Sequence, residues 1–323
     1  MKPLIDPRDA FASTLLELAR SDPRVCVVLN DSLSSSNARG FLSEFPDRLF
    51  DVGIAEQNMV GVAAGLANAG MIPFVCAASC FLTGRALEQI KVDVALSKAN
   101  VKLCGFSSGV AYGSLGATHH SIEDLAWVRV LPNLVVAAPC DDHETAAVVR
   151  TAHAHQGPVF IRVNRIPVPS LLPPELPFHF GSATLMREGR GLTLISMGFT
   201  THRALVAAEL LANVGLDCRV LNMSSVAPLD VDAVVDACRE TGRIVCVEDH
   251  LIEGGLFSAV ASVVVRHAPV PMLGLGVPGV FAPVGDVDDL LEAFGLEPKQ
   301  IALRIQQWLG GNGVRAELNE AHA

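Results

Sequence analysis

Short β-branched runs alternate with longer stretches of helical spacing along almost the whole chain, and that alternation leaves few folds open. VCVVLN (25–30), MIPFVCAA (71–78), VKLCGFSS (101–108), NLVVAAP (133–139) and PVFIRV (158–163) read as buried strands. Between them, Asp9–Arg20, GVAAGLANAG closing on Gly70, RALEQIKVDVALSKA (85–99), HSIEDLAWVRVL (120–131) and DHETAAVVRTAHAH (142–155) carry the helical period. Parallel neighbours need a crossover, which a helix supplies. The pattern therefore predicts an α/β fold, a parallel sheet covered by helices on both faces.

The alternation stops at RIPVPSLLPPELPFHFG (165–181), whose five prolines bar a helix or a central strand. It resumes with LTLISMG (192–198), HRALVAAELLANVG (202–215), DCRVLNM (217–223), LDVDAVVDACRETG (229–242), RIVCVED (243–249) and GGLFSAVASVVVRHAP (254–269). A short run at 272–275 and two helices split at Gly295–Pro298 close it. The expected organisation is two three-layer α/β domains with parallel or mixed sheets, at 1–166 and 189–311. A proline-rich linker at 167–188 joins them, and a polar, flexible tail follows at 312–323.

Several classes of function fall away. The net charge is −10 without a cluster of Lys or Arg, so duplex nucleic acid is not an expected partner. No apolar run approaches the ~20 residues of a membrane helix. The start MKPLIDPRDAF puts Pro and Asp where a secretory leader needs an apolar stretch. The eight cysteines include no CxxC pair and sit mostly in Val/Ala-rich runs, reading as reduced core residues of a cytoplasmic protein and not as a metal site. Half the residues are hydrophobic, enough for two cores and for subunit contacts.

One carboxylate stands out. Glu56, in DVGIAEQNMVGVAAGLANAG (51–70), opens a small-residue apolar segment. Two readings fit: an acid at a helix N-terminus held by the helix dipole, or a buried acid with a specific partner. Phe81 is either core packing or an aromatic platform. The His119–His120 pair has no further ligand nearby. Arg8 and Arg165 are either solvated surface charges or forks for an anion.

GIAEQNMVGVAAGLA resembles the catalytic-glutamate segment of the transketolase family, which includes deoxyxylulose-phosphate synthase. CFLTGRALEQIK (80–91) is similar to the family's aromatic segment. GSLGATHHSIEDLAWVRVLPNLVVAAP (113–139) is similar to its Gly-Glu-Asp-Gly-x-Thr-His loop with the helix and strand after the loop. LISMGFTTHRALVAAELLANVGLDCRVLNMSSVAPLD and VEDHLIEGGLFSAVA resemble the C-terminal transketolase domain. The resemblance implies that Glu56 hydrogen-bonds the aminopyrimidine N1′ of thiamine diphosphate, with a carboxyl pKa raised by its dry pocket. It implies that Phe81 stacks on the pyrimidine and that Asp31 and Ile54 lie on the cofactor side. His119 would face the reacting carbonyl. Arg8, Arg165 and Ser36 would hold the substrate's anionic end.

The family's diphosphate-binding domain, with its Gly-Asp-Gly…Asn signature, is not in this sequence. The resemblance therefore implies a split transketolase, in which a companion subunit carries that domain and most of the Mg²⁺ binding, in a heterotetramer of two plus two. Two departures touch the substrate. Ser107 stands where the family has His, and Leu115 where it has Asp in the loop. Both family residues contact donor hydroxyls, so the donor is expected to be unusual. A thiamine diphosphate-dependent synthase or 2-oxo acid enzyme, and a non-catalytic paralogue, are the alternatives.

Overall fold

The computed structural model of the chain describes residues 3–310; the tail expected at 312–323 lies outside the described residues. In chain order its strands are β1 (Leu4–Ile5), β2 (Val25–Leu29), β3 (Leu49–Asp51), β4 (Ile72–Ala78), β5 (Lys102–Phe106), β6 (Val135–Ala137) and β7 (Val159–Val163). β8 (Val168–Pro169), β9 (Thr184–Arg187), β10 (Leu192–Ser196), β11 (Cys218–Asn222), β12 (Ser225–Ala227), β13 (Ile244–Leu251) and β14 (Met272–Val277) follow. A seven-stranded sheet has the order β12-β6-β7-β5-β4-β2-β3, and a five-stranded sheet the order β14-β13-β10-β11-β9. In the first, only the β12–β6 pairing is antiparallel; in the second, only β9–β11. The fold is thus α/β with two mixed, mainly parallel sheets.

The strands form where side chains can be apolar on both faces. β2, β4, β5, β7 and β10 are buried at every position. Lys102 in β5 is an exception in chemistry. Its ammonium donates to Asn100 Oδ1 (2.7 Å) and to the carbonyls of His155 and Gly157 (both 2.8 Å), and burial pulls its pKa down to about 7. The helices start on side-chain caps. Asp6 accepts from Arg8 N ahead of Pro7–Ser21, Asp141 from Glu144 N ahead of Asp142–Ala154, and Asp230 from Ala233 N ahead of Val231–Thr241. Gly70, at φ +93°, closes the helix Glu56–Asn68, with Met71 N donating back to Leu66 O at 3.0 Å. All eight cysteines are free and seven are buried.

Some elements differ from the sequence expectation. The helix expected over 85–99 is broken: a helix Ser79–Arg85 ends where it should begin, and Leu87–Gln89 and a π-helical stretch Ile90–Leu96 follow. The break falls at the fully buried Ala86. Only Asp124–Val128 is helical within 120–131, because Ser121 is held in a two-way backbone bridge to Gly109 (2.7 and 3.0 Å). Two short strands fall within the proline-rich linker expected at 167–188. β8 pairs with β1 near the N-terminus, and β9 is the antiparallel edge of the second sheet.

The two sheets are not separate bodies strung on a linker. β12, from the second half, pairs with β6 and completes the first sheet. Arg162 of β7 is fully buried between Asp124 of the first half (Nε to Oδ2, 3.0 Å) and Asp249 of the second (Nη1 to Oδ1, 2.5 Å). Ser79 Oγ donates to Asp124 Oδ2 at 2.7 Å. A buried guanidinium is tolerable only with such partners.

Candidate active site

A parallel sheet brings the carboxyl ends of its strands to one edge, where binding sites of such folds collect. Asn30 follows β2, Glu56 follows the loop after β3, Phe81 and Arg85 lie on the helix after β4, Ser107 follows β5, and Arg165 follows β7. The sequence distributes these residues over more than a hundred positions, and the topology brings them to one rim.

Glu56 is 3 % exposed at the first position of its helix. Asn30 Nδ2 donates to its Oε1 at 2.8 Å, and Arg85 Nη1 donates to the same oxygen at 2.9 Å. The raised pKa expected for this carboxyl is not what the geometry supports. Burial pushes it up, but its own backbone N–H, Arg85 and Asn30 outweigh burial and hold it below the usual carboxylate range. The dry pocket is legible in the sequence, whereas the cation that reverses its effect arrives only with the fold.

From Glu56 a chain of contacts runs along the rim. The Arg85 guanidinium lies 4.0 Å from the Phe81 ring centroid. Phe81 meets the His119 ring edge-on at 5.1 Å, and His119 meets Tyr112 edge-on at 5.5 Å. The Arg165 guanidinium lies 5.4 Å from the Tyr112 centroid. His119 Nδ1 is 2.9 Å from Thr118 Oγ1. Its neighbour His120 is buried, with Nε2 at 3.0 Å from Gly113 O, and burial lowers its pKa. His120 thus holds the glycine-rich turn while His119 faces the rim.

Arg165 and Tyr112 border a cleft of about 340 Å³ with Ser114, Leu115 and Asp286. Leu115 is half exposed there. Ser107 is fully buried at φ +57°, and its Oγ has no hydrogen-bond partner. Arg8 is already engaged: Nε and Nη2 donate to Asp6, and Nη1 donates to Ser35 O at 3.2 Å. The Asp6 hydrogen bond raises its pKa. Ser36 is buried and donates to Ser32 Oγ at 3.2 Å, so its hydroxyl serves the loop. Asp31 is exposed at φ +65°, with its N–H on Asp51 Oδ1 at 2.9 Å, and Ile54 is 74 % exposed.

Asn30, Arg85 and Tyr112 were not expected at the site from the sequence. Tyr112 carried a usable signal, being the single tyrosine of the chain and lying in the glycine-rich loop. Asn30 and Arg85 carried none, since only the fold brings them to Glu56.

Among the described residues, Asp141, Asp142 and His143 could crowd around a metal ion. Their atoms are committed: Asp141 accepts from the Glu144, Leu171 and Leu172 amides, Asp142 from Ser170, and His143 Nδ1 lies 2.6 Å from Leu172 O. The rim suits a flat nitrogen heterocycle better. Asn30 Oδ1 and Ser107 Oγ are buried without partners, and the side-chain donors to Glu56 converge on Oε1 alone. These groups fit the aminopyrimidine of thiamine diphosphate: an acid for its ring nitrogen, an aromatic face and spare buried polar atoms.

Comparison with known proteins identifies the family. The family model "Transketolase, pyrimidine binding domain" matches residues 4–170, and "Transketolase, C-terminal domain" matches 181–301. The chain is 40 % identical to a subunit of the apulose-4-phosphate transketolase of Phocaeicola vulgatus, over 92 % of this chain and 96 % of that one. It is 38 % identical to a 6-deoxy-6-sulfo-D-fructose transketolase subunit of Clostridium sp., over 91 % of each. Among solved structures, a split-gene transketolase described as an inactive beta4 tetramer superposes with a TM-score of 0.85 at 39 % identity, covering 94 % of this chain and 97 % of that one. The chain therefore belongs to the transketolase family and carries its pyrimidine-binding and C-terminal domains in one polypeptide.

Proposed function

We propose that this chain is one subunit of a thiamine diphosphate-dependent transketolase that moves a two-carbon ketol unit from an anionic ketose to an aldose. The observation that carries the reading is the line Glu56, Phe81, His119, Arg165 along one rim. When bound, thiamine diphosphate supplies a carbon nucleophile and an electron sink for cleaving the bond beside a ketose carbonyl. Glu56 holds a proton at the pyrimidine N1′. Phe81 offers its ring to the pyrimidine face, while His119 faces the substrate carbonyl and exchanges a proton at its oxygen. Arg165, across Tyr112 from His119, binds the anionic end of the sugar, with Arg8 adding to the positive field.

The Phocaeicola and Clostridium relatives act, by their names, on a sugar phosphate and a sulfo-sugar. Both are sugars with an anionic end, which a guanidinium can meet. Leu115 at the cleft and the buried Ser107 leave few hydroxyl contacts, favouring a donor other than the common ketose phosphates. The same relatives are named as subunits, which supports a companion that holds the diphosphate and Mg²⁺ in an assembly of two plus two. Mixing both subunits with thiamine diphosphate and Mg²⁺, and offering ketose phosphates, sulfo-ketoses and pyruvate, tests the reading. Aldehyde release that depends on ketose and yields no carbon dioxide is expected. Carbon dioxide from pyruvate, with no turnover of any ketose, overturns it in favour of a 2-oxo acid enzyme.

A further inference from the structure

Arg85 is not accounted for by the roles above. It ends the helix Ser79–Arg85, with its side chain 49 % exposed beside a Glu56 side chain only 2 % exposed. Two constraints fix its guanidinium: the hydrogen bond to Glu56 Oε1 at 2.9 Å, and the Phe81 ring 4.0 Å beneath it. Asn30 Nδ2, just past the end of β2, reaches the same oxygen at 2.8 Å. Among the described residues no side chain donates to Oε2.

A carboxylate on a helix N-terminus can rotate about its last bond and present either oxygen. Two donors converging on one oxygen remove that freedom. We propose that Arg85 is a positioning residue for Glu56: with Asn30 it saturates Oε1, braced against Phe81, so that Oε2 is the oxygen presented to the coenzyme's ring nitrogen. The proposal rests on the thiamine diphosphate reading above. A fork donor is suited to this task because its plane can lie on an aromatic face while an N–H points along that plane to the acid. The charge has a second effect in the same direction. Against the burial that pushes the Glu56 carboxyl up, the Arg85 hydrogen bond helps hold it down, so the proton stays on the ring side of the contact. Covering this rim with a second subunit would strip water from Arg85 and strengthen both effects.

The test has two arms. In the chain alone, infrared titration of the Glu56 carboxyl, identified by subtracting the Glu56→Gln spectrum, reads the field directly. Arg85→Ala is expected to move the midpoint up, and Arg85→Lys to leave it near the wild-type value. In the assembly with the companion subunit, thiamine diphosphate binding is followed by calorimetry. Arg85→Ala is expected to weaken it about tenfold, the size of one lost charged hydrogen bond, and Arg85→Lys to restore part of the loss. Circular dichroism checks that the variants fold; Arg85→Gln replaces Arg85→Ala in both arms if that variant does not. An unmoved midpoint overturns the proposal, as does unchanged binding. Tighter binding by Arg85→Ala also overturns it, because Arg85 would then be competing for the ring's place. A wild-type assembly that takes up no coenzyme overturns the functional reading and this proposal together, whereas normal wild-type binding with an unaffected variant overturns the proposal alone.

Discussion

Asn30, at the end of β2, and Glu56, at the head of a helix one strand away, are joined by a 2.8 Å hydrogen bond to a carboxylate that is almost wholly buried. The bond makes Glu56→Gln a clean probe. The amide oxygen of Gln can still accept from Asn30 and Arg85, so the fold should survive. Its nitrogen cannot exchange a proton with a ring nitrogen. Turnover of the reconstituted assembly should fall by about 10²–10⁴-fold with an unchanged melting temperature. Ordinary activity would remove Glu56 from the chemistry.

Arg165 reads charge if the cleft beside Tyr112 receives the anionic end of the sugar. Arg165→Ala should then raise KM about tenfold for a phosphorylated or sulfonated donor and leave KM for an uncharged analogue nearly unchanged. Steady-state kinetics on the matched pair checks this, and equal effects on both would show that Arg165 has another task.

Leu115 is half exposed, so Leu115→Asp places a carboxylate in the cleft without burying it. The substitution should raise kcat/KM for a hydroxyl-rich ketose relative to its deoxy analogue, by about tenfold if a donor hydroxyl lies within reach. A ratio that stays at the wild-type value would place the donor hydroxyls elsewhere.

Glu248 lies fully buried in β13, and burial lifts its carboxyl to about 8 even though the Leu256 and Phe257 amides donate to it. The folded chain therefore keeps a proton that the unfolded chain has lost above its ordinary value of 4.5. The stability this lends is complete below that value and disappears as pH rises through about 8. Urea midpoints of the wild type should drop between about pH 6 and about pH 9, and the drop should be smaller in Glu248→Gln.

Arg162 bridges the two halves between buried Asp124 and Asp249. Arg162→Met leaves two carboxylates without a cation and should cost about 3–5 kcal/mol. Thermal unfolding measures it, and neutralising both acids in the same variant should recover part of the loss. No recovery would mean that the packing of the arginine stem matters more than its charge.

The strands were legible wherever both faces are buried. VCVVLN and PVFIRV could be read as β2 and β7 because their apolar runs have no other use. β3, β12 and the bridge at Ser121 were not, since two or three residues show no period and their pairing depends on a distant partner. The break at Ala86 was hidden because the apolar pattern over 85–99 suits an α-helix and a π-helical stretch equally. At the rim, the roles expected of Glu56, Phe81, His119 and Arg165 came from the resemblance to the transketolase family. The ionisation of Glu56 did not, because Arg85 and Asn30 reach it only through the fold, and a linear reading of burial gives the wrong sign. The engagement of Arg8 with Asp6 and of Ser36 with Ser32 was likewise invisible, as neither contact leaves a mark in residue type.

The three-residue strand β12 has a consequence for how such a polypeptide can be cut or shuffled. Because Ser225–Ala227 lies against β6, a gene fragment stopping in the proline-rich stretch would bare the flank of β6, and open β-flanks invite sticking between copies. A chimera that exchanges the second half must import a compatible three-residue patch along with it. The seam between the halves therefore runs through a shared sheet and not through the proline-rich stretch alone.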